Sequence, residues 1–319
     1  MERLRLGTSE IEVTQIIMGT WQAGKAMWAG IDDAETTKAI RAAHDAGITT
    51  FDTAESYGKG HSERILGAAL ASVRDQVVLA TKVSPDHLQY DQVIEACHRS
   101  LENLKTDYID LYQIHWPAGS FKSKIVLIEE TMGAMNDLEA QGKIRAIGVS
   151  NFSRAQLEEA CRHGRIVSLQ PPYSLFWRHA EEDAMPYCRE NGITLLAYSP
   201  MAQGLLTGKF GKGHKFSRRD HRAKNRLFGE EHSERVHEAL DALRPIADGH
   251  GITMGQLALA WVIAQPATCA IAGARNAEQA PENAKAGEVR LTAPDLARMD
   301  EIGRRVTDPL DRDPVLWKF

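Results

Sequence analysis

The stretch RENGITLLAYSP, residues 189–200, sets the pattern on which the rest of the chain is read. A polar, helix-like run stops at Gly192. A short apolar segment follows at once and leaves through Tyr198-Ser199-Pro200. The same unit recurs as HDAGITTFDTA (44–54), EAQGKIRAIGVS (139–150) and CRHGRIVSLQP (161–171). Gly47, Gly142, Gly164 and Gly192 each stand where a left-handed helix C-cap is expected. The segments behind them are too short for helices and read as buried strands. VVLATK (77–82) and IDLYQIH (109–115) have the same character without the glycine.

Between these segments lie amphipathic helical stretches, most plainly at 32–46, 92–104, 125–140 and 154–163. Strand alternating with helix means a parallel sheet and an α/β fold. Strands are expected near 16–19, 49–52, 77–82, 109–115, 144–149, 166–170, 194–198 and 268–272. Eight of them in 319 residues fit a closed (β/α)₈ barrel, with an open doubly wound sheet as the competing arrangement. LRLGTSEIEV (4–13) reads as a two-stranded ribbon ahead of the barrel, plugging its bottom. No linker interrupts the pattern, so residues 1–319 are expected to form one domain with long loops on the C-terminal face of the barrel.

Composition narrows the function. Apolar residues make up 43% and charged residues 25%, the balance of a globular protein with a large core. Lys plus Arg is 38 against 43 Asp plus Glu, a net charge of −5, which gives no general attraction to nucleic acid or anionic lipid. No apolar run has the length of a membrane span and MERLRLGTSE lacks a signal-peptide core, so a cytoplasmic protein is expected. Cys97, Cys161, Cys188 and Cys269 are scattered and read as buried free thiols; the histidines show no metal-binding spacing.

Polar residues collect at one end of the strands: Asp52, Lys82, His115, Ser150-Asn151, Gln170 and Tyr198-Ser199. In a closed barrel these ends meet on the face where active sites sit. For Ser150 and Asn151 a helix-capping reading competes, because SNFSRAQLEE resembles a helix start. Asp52 and Lys82 each end an apolar run, and each supplies the counter-charge the other needs inside a barrel mouth.

With these residues in place, the sequence resembles the aldo-keto reductases. FDTAESYGKGHSERILG (51–67) is similar to the family signature, with Asp52 and Tyr57 in the expected places. ATK, ending at Lys82, and QIHWP, containing His115, match the other two catalytic positions. GVSNF, QPPYS and AYSPMAQGLLTGK resemble the cofactor-binding loops, and GARNAEQAPEN (273–283) the segment around the adenosine phosphate. The resemblance runs from about Arg3 to about Asp300, and GxSE with QPPYS points to the branch of bacterial reductases and potassium-channel β-subunits.

The resemblance implies NADPH-dependent reduction of small aldehydes and ketones. Tyr57 would donate the proton, with its pKa drawn down by Lys82, which Asp52 holds in place; a neutral His115 would orient the substrate oxygen. Ser150, Asn151 and Gln170 would hydrogen-bond the nicotinamide carboxamide and Tyr198 would stack on its ring, with Gly19, Thr20, Trp21 and Asp52 as further cofactor-binding residues. Ser199, Pro200, Met201, Gln203, Gly204 and Lys209 would strap over the pyrophosphate, and Arg218 of the basic run 211–226 would reach the same phosphates. Gly273, Arg275, Gln279, Glu282 and Asn283 would hold the adenosine end, with Arg275 on a 2′-phosphate and a helix starting near Asn276 aimed at it.

Trp21, Tyr57, His115 and Trp116 would form the substrate pocket, with Trp28 and Trp177 as further candidate walls. No metal is expected, nor any partner beyond a small carbonyl substrate and a weak homo-oligomer contact at most. The tail from 308 to 319, ending in Trp317 and Phe319, is expected to fold over the pocket or onto a neighbouring subunit. The alternative function is a redox-sensing regulatory subunit of the channel β-subunit type. The channel relatives carry Asn where this chain has His115, the enzyme-like choice.

Overall fold

A computed structural model describes the chain except for residues 27, 29, 218, 219, 311, 312, 314 and 316–319. Arg218, Trp317 and Phe319 therefore lie outside the described residues. The chain opens with an antiparallel pair, β1 (Arg3–Arg5) and β2 (Glu12–Thr14). Eight parallel strands then close into a barrel: β3 (Ile16–Gly19), β4 (Thr50–Asp52), β5 (Val78–Val83), β6 (Leu111–Ile114), β7 (Ile147–Ser150), β8 (Ile166–Gln170), β9 (Thr194–Tyr198) and β10 (Thr268–Gly273). β10 pairs with both β9 and β3, which removes the open-sheet alternative. The helices are α1 (Asp33–Asp45), α2 (His61–Leu70), α3 (Tyr90–Leu104), α4 (Ile128–Ala140), α5 (Arg154–His163), α6 (Ala184–Glu190), α7 (Glu230–Gly249), α8 (Met254–Ile263), α9 (Gln279–Lys285) and α10 (Ala293–Thr307).

Strand side chains alternate between two apolar layers. Ile16, Met18, Phe51, Leu79, Tyr112, Val149, Leu169 and Ala197 face the helices. Ile17, Ala80, Leu111, Val167, Leu196 and Cys269 face the barrel axis, where Leu6, Ile11 and Val13 of the N-terminal hairpin join them. The hairpin is thus the expected plug. It sits against the barrel so closely that a Cβ on Gly7 (φ 55°) would come 2.3 Å from the Val167 carbonyl oxygen, while the Gly7 N–H donates to Thr194 Oγ1 at 2.7 Å.

Two local expectations need correction. Gly47, Gly142 and Gly192 are left-handed, but Gly164 is extended (φ 178°). It is glycine because a Cβ there would meet Asn136 Oδ1 and Met132 Cε of α4 at 2.6 Å each. The helix after β7 is capped by Ser153, in a reciprocal box with Gln156, and not by Ser150 or Asn151, which are left for the barrel mouth. Cys97, Cys188 and Cys269 are buried thiols and Cys161 is half-buried; all four are free. Among the described residues, no helix is long and apolar enough to cross a membrane.

Candidate active site

The alternation that builds the core also aims the polar residues. Phe51, Thr81, Tyr112, Val149, Leu169 and Ala197 point outward, so Asp52, Lys82, Gln113, Ser150, Gln170 and Tyr198 point inward at the C-terminal ends of their strands. They meet at the floor of a cavity of about 670 Å³ that opens on this face.

Lys82 is fully buried beneath this floor. Its Nζ donates to Asp52 Oδ1 at 2.6 Å and to the Thr53 carbonyl at 2.7 Å, and lies 3.5 Å from the Tyr57 hydroxyl. The second Asp52 oxygen accepts from Gln170 Nε2 at 2.9 Å and from Gln113 Nε2 at 3.3 Å. The carboxylate is therefore neutralised on one side and hydrogen-bonded on the other, the condition under which a buried ion pair is stable. Gln113 is a member of this network that sequence reading overlooked: QIHWP drew attention to His115, although residues 113 and 115 share a face.

The Tyr57 and His115 rings meet edge to face with centroids 5.6 Å apart, and His115 Nδ1 lies 3.3 Å from Ser56 Oγ. Burial pushes the His115 pKa well below the ordinary histidine value, and the Lys82 ammonium pushes the same way, so the imidazole is neutral. For Tyr57 the expected direction is reversed. Burial, followed by the Asp52 charge, holds the phenol well above its ordinary pKa. Burial also pulls Lys82 below the usual lysine value, against the Asp52 and Glu63 charges that keep it protonated.

The nicotinamide-side residues form one connected set. Ser150 Oγ donates to the Gln170 carbonyl at 2.8 Å, and Asn151 Nδ2 contacts Ser150 Oγ and the His115 carbonyl at 3.0 Å each. Asn151 Oδ1 accepts from the Tyr198 hydroxyl at 2.7 Å, which fixes that ring beside the cavity. Gly19, Trp21, Ser199, Pro200, Met201, Gln203, Gly204 and Lys209 line the cavity, as do Gly273, Arg275, Gln279, Glu282 and Asn283. Thr20 does not line it. One step past inward Gly19, it points outward, where its hydroxyl donates to the Asp52 carbonyl at 3.0 Å and lies 2.7 Å from Ser62 Oγ. The helix expected from Asn276 starts at Gln279, and Asn276 Oδ1 caps it by accepting the Gln279 N–H at 3.0 Å.

At the far end Lys209, Arg222 and Arg275 converge on the same cavity. Arg275 and Arg222 lie over one Trp28 ring, at 5.2 and 5.4 Å from its centroid. Burial and the neighbouring cations lower the pKa of both Lys209 and Arg275. Asp220 holds Arg222 through both carboxylate oxygens, at 2.9 and 2.6 Å. Arg222, not singled out from the basic run, is the lining cation that the structure adds. Four buried lining groups have no hydrogen-bond partner among the described residues: Arg275 Nη2, Gln203 Nε2, Gln22 Oε1 and Trp28 Nε1. Buried polar groups are seldom left unpaired, so this cradle fits an extended polyanion carrying an amide. Trp21, Tyr57, His115 and Trp116 line the other end with Phe121, and Trp28, edge to face with Trp21 at 5.2 Å, stands between the two ends. Trp177 packs into the core instead, with Arg226 at 5.7 Å from its ring.

The chain is similar in sequence and fold to known proteins. The chain is 40% identical over 291 residues to an aldo-keto reductase of Bacillus subtilis, covering 88% of this chain and 86% of that protein. It is 33% identical to an NADH-specific methylglyoxal reductase of Escherichia coli, over 95% of this chain and 98% of the relative. Among solved structures, a Klebsiella pneumoniae aldo-keto reductase in complex with NADPH superimposes with a TM-score of 0.78 at 32% identity, covering 100% and 99% of the two chains. A glycerol dehydrogenase of Gluconobacter oxydans superimposes with a TM-score of 0.88 at 32% identity, over 97% of each chain. The family model for the Aldo/keto reductase family matches residues 15–304, a span that holds the whole barrel and every residue of the Asp52–Lys82–Tyr57–His115 cluster, and the chain belongs to that family.

Proposed function

We propose that this oxidoreductase is an NADPH-dependent carbonyl reductase that converts small aldehydes and ketones to alcohols, with Tyr57 as the proton donor. The observation that carries the reading is the Lys82 ammonium, bonded to Asp52 and 3.5 Å from the Tyr57 hydroxyl at the floor of a cavity whose other end gathers three cations. No side chain delivers hydride, and a bound nicotinamide supplies it. Ser150, Asn151, Gln170 and Tyr198 would hold the nicotinamide end. Gln203 and Lys209 would hold the pyrophosphate, and Arg222, Arg275 and Gln279 the 2′-phosphate. The structural neighbour with NADPH supports this choice over NADH.

The chain's own chemistry is proton delivery and orientation. Tyr57 is kept as a phenol by burial and by Asp52, so it holds a proton to give. As negative charge grows on the substrate oxygen, that phenol donates, and the nearby Lys82 cation stabilises the phenolate left behind. His115, neutral and beside Tyr57, hydrogen-bonds the same oxygen and sets its approach. A histidine here favours the enzyme over a regulatory subunit. We place the protein in the cytoplasm, acting as a monomer or weak homo-oligomer.

The test follows loss of nicotinamide absorbance with an aldehyde substrate. Tyr57→Phe removes one oxygen and little volume, so fold and NADPH affinity are expected to survive while kcat falls by about 10²–10⁴. A Tyr57→Phe enzyme that binds NADPH normally and turns over near the wild-type rate would overturn Tyr57 as donor and leave His115 as the next candidate.

A further inference from the structure

The charged residues lining the cavity are unevenly placed. Among the described residues its lysine and arginine side chains, Lys209, Arg222 and Arg275, all stand on the loops after β9 and β10. Across the mouth, on the loops after β4 and β5, the lining is Ser56, Tyr57, Gly58, Ser84, Pro85 and Asp86. These two loops are tied together: Glu55 Oε1, next to Ser56 in the chain, accepts the Ser84 N–H at 2.7 Å and sits 2.9 Å from His87 Nδ1. Asp86 lies on the short turn Pro85–His87, four residues after Lys82, and its side chain makes no ion pair or hydrogen bond among the described residues. The facing wall, Trp21, Trp116 and Phe121, offers no charge.

We propose, on the reading of this cavity as a carbonyl-reductase site, that Asp86 with Ser56 and Ser84 selects small carbonyl compounds bearing a hydroxyl next to the carbonyl and rejects those bearing a carboxylate. The carbonyl oxygen belongs at Tyr57 and His115, which lie on and beside these same strand ends. A hydroxyl one carbon away meets a wall rich in acceptors, and an unpaired carboxylate accepts the strongest hydrogen bond available there. A carboxylate at the same place meets Asp86 as a like charge. Among the described residues no lining cation stands on this side to hold it, and Lys82 is buried beneath the floor and committed to Asp52. The aromatic wall covers the carbon skeleton of a short substrate without preference for either.

The experiment measures kcat/KM with NADPH for 2-hydroxypropanal, for 2-methylpropanal, which replaces the hydroxyl by a methyl of similar size, and for glyoxylate. Wild type, Asp86→Ala and Asp86→Asn are compared by the ratios within each protein, which cancels differences in active fraction. The wild type is expected to prefer the hydroxy aldehyde to its methyl isostere about tenfold, the scale of one charge-assisted hydrogen bond. Asp86→Ala is expected to bring that ratio close to one. Asp86→Asn, which keeps the shape and removes the charge, is expected to raise glyoxylate relative to 2-methylpropanal several-fold. A wild type that does not favour the hydroxy aldehyde, or ratios that neither substitution moves, would overturn the proposal while leaving the reductase reading intact. No NADPH-dependent reduction of any of the three would overturn both.

Discussion

Tyr57 stands 3.5 Å from a lysine ammonium, which by charge alone draws a phenol pKa down. Yet Lys82 is already neutralised by Asp52 at 2.6 Å, so the phenol meets a pair and not a lone cation, and burial then sets the direction. A raised pKa keeps the group protonated to higher pH, and protonated is the form reduction needs. Reduction is therefore expected to hold its kcat from about pH 7 to beyond the ordinary tyrosine value of about 10. Alcohol oxidation needs the phenolate and is expected to rise steadily over that range without levelling off. His115 adds no inflection near its ordinary pKa, because it is neutral well below it. Steady-state kinetics in both directions across pH checks this. A loss of reduction between about pH 7 and 9 would show that Lys82 outweighs burial in the working complex.

At the level of strands and loops, legibility followed geometry. Where a strand carries one residue per step to alternate faces, position in the chain decides what enters the barrel, so Asp52, Lys82, Gln170 and Tyr198 were readable as strand ends. The same rule, applied strictly, turns Thr20 outward after Gly19 and brings Gln113 inward with His115, two outcomes that motif matching missed. The loop between β9 and α7 has no such period. Its run of lysines and arginines gives no way to tell Arg222, over Trp28 and in the cavity, from its neighbours. This loop and the one after β10 carry a common prediction. Arg275→Ala is expected to weaken NADPH by about 1–3 kcal/mol, the scale of a lost charge-assisted bond, with little effect on NADH. Arg222→Ala is expected to act in the same sense but less, because Asp220 already neutralises much of its charge. Kd values from fluorescence quenching decide; equal weakening of both cofactors would show that neither guanidinium reads the 2′-phosphate.

Across the whole molecule, one end of the barrel is closed by the hairpin and the other is open to ligand, so anything that steadies the open face acts through its loops. The C-terminal segment is placed to do so. Leu310 and Val315 pack against the outer core, and the Asp313 carboxylate lies 3.4 Å from Arg226, four residues beyond Arg222 on the same loop. Sequence reading gave this tail to the substrate pocket or to a neighbouring subunit on the strength of Trp317 and Phe319. The described contacts tie its first residues to the loop that carries Arg222, while Trp317 and Phe319 lie outside the described residues. Among the described residues, deleting 310–319 removes the partly exposed Asp313–Arg226 ion pair, worth up to about 1 kcal/mol, along with the apolar contacts of Leu310 and Val315. NADPH Kd is therefore expected to rise about two- to fivefold through a loosened loop, while the ratio of KM values for small and bulky aldehydes stays where it was. Fluorescence titration of the truncated protein beside carbonyl kinetics separates the cases. A KM ratio that shifts with NADPH Kd unmoved would return the tail to the substrate pocket, and a change in sedimentation with both constants unmoved would give it to a subunit contact.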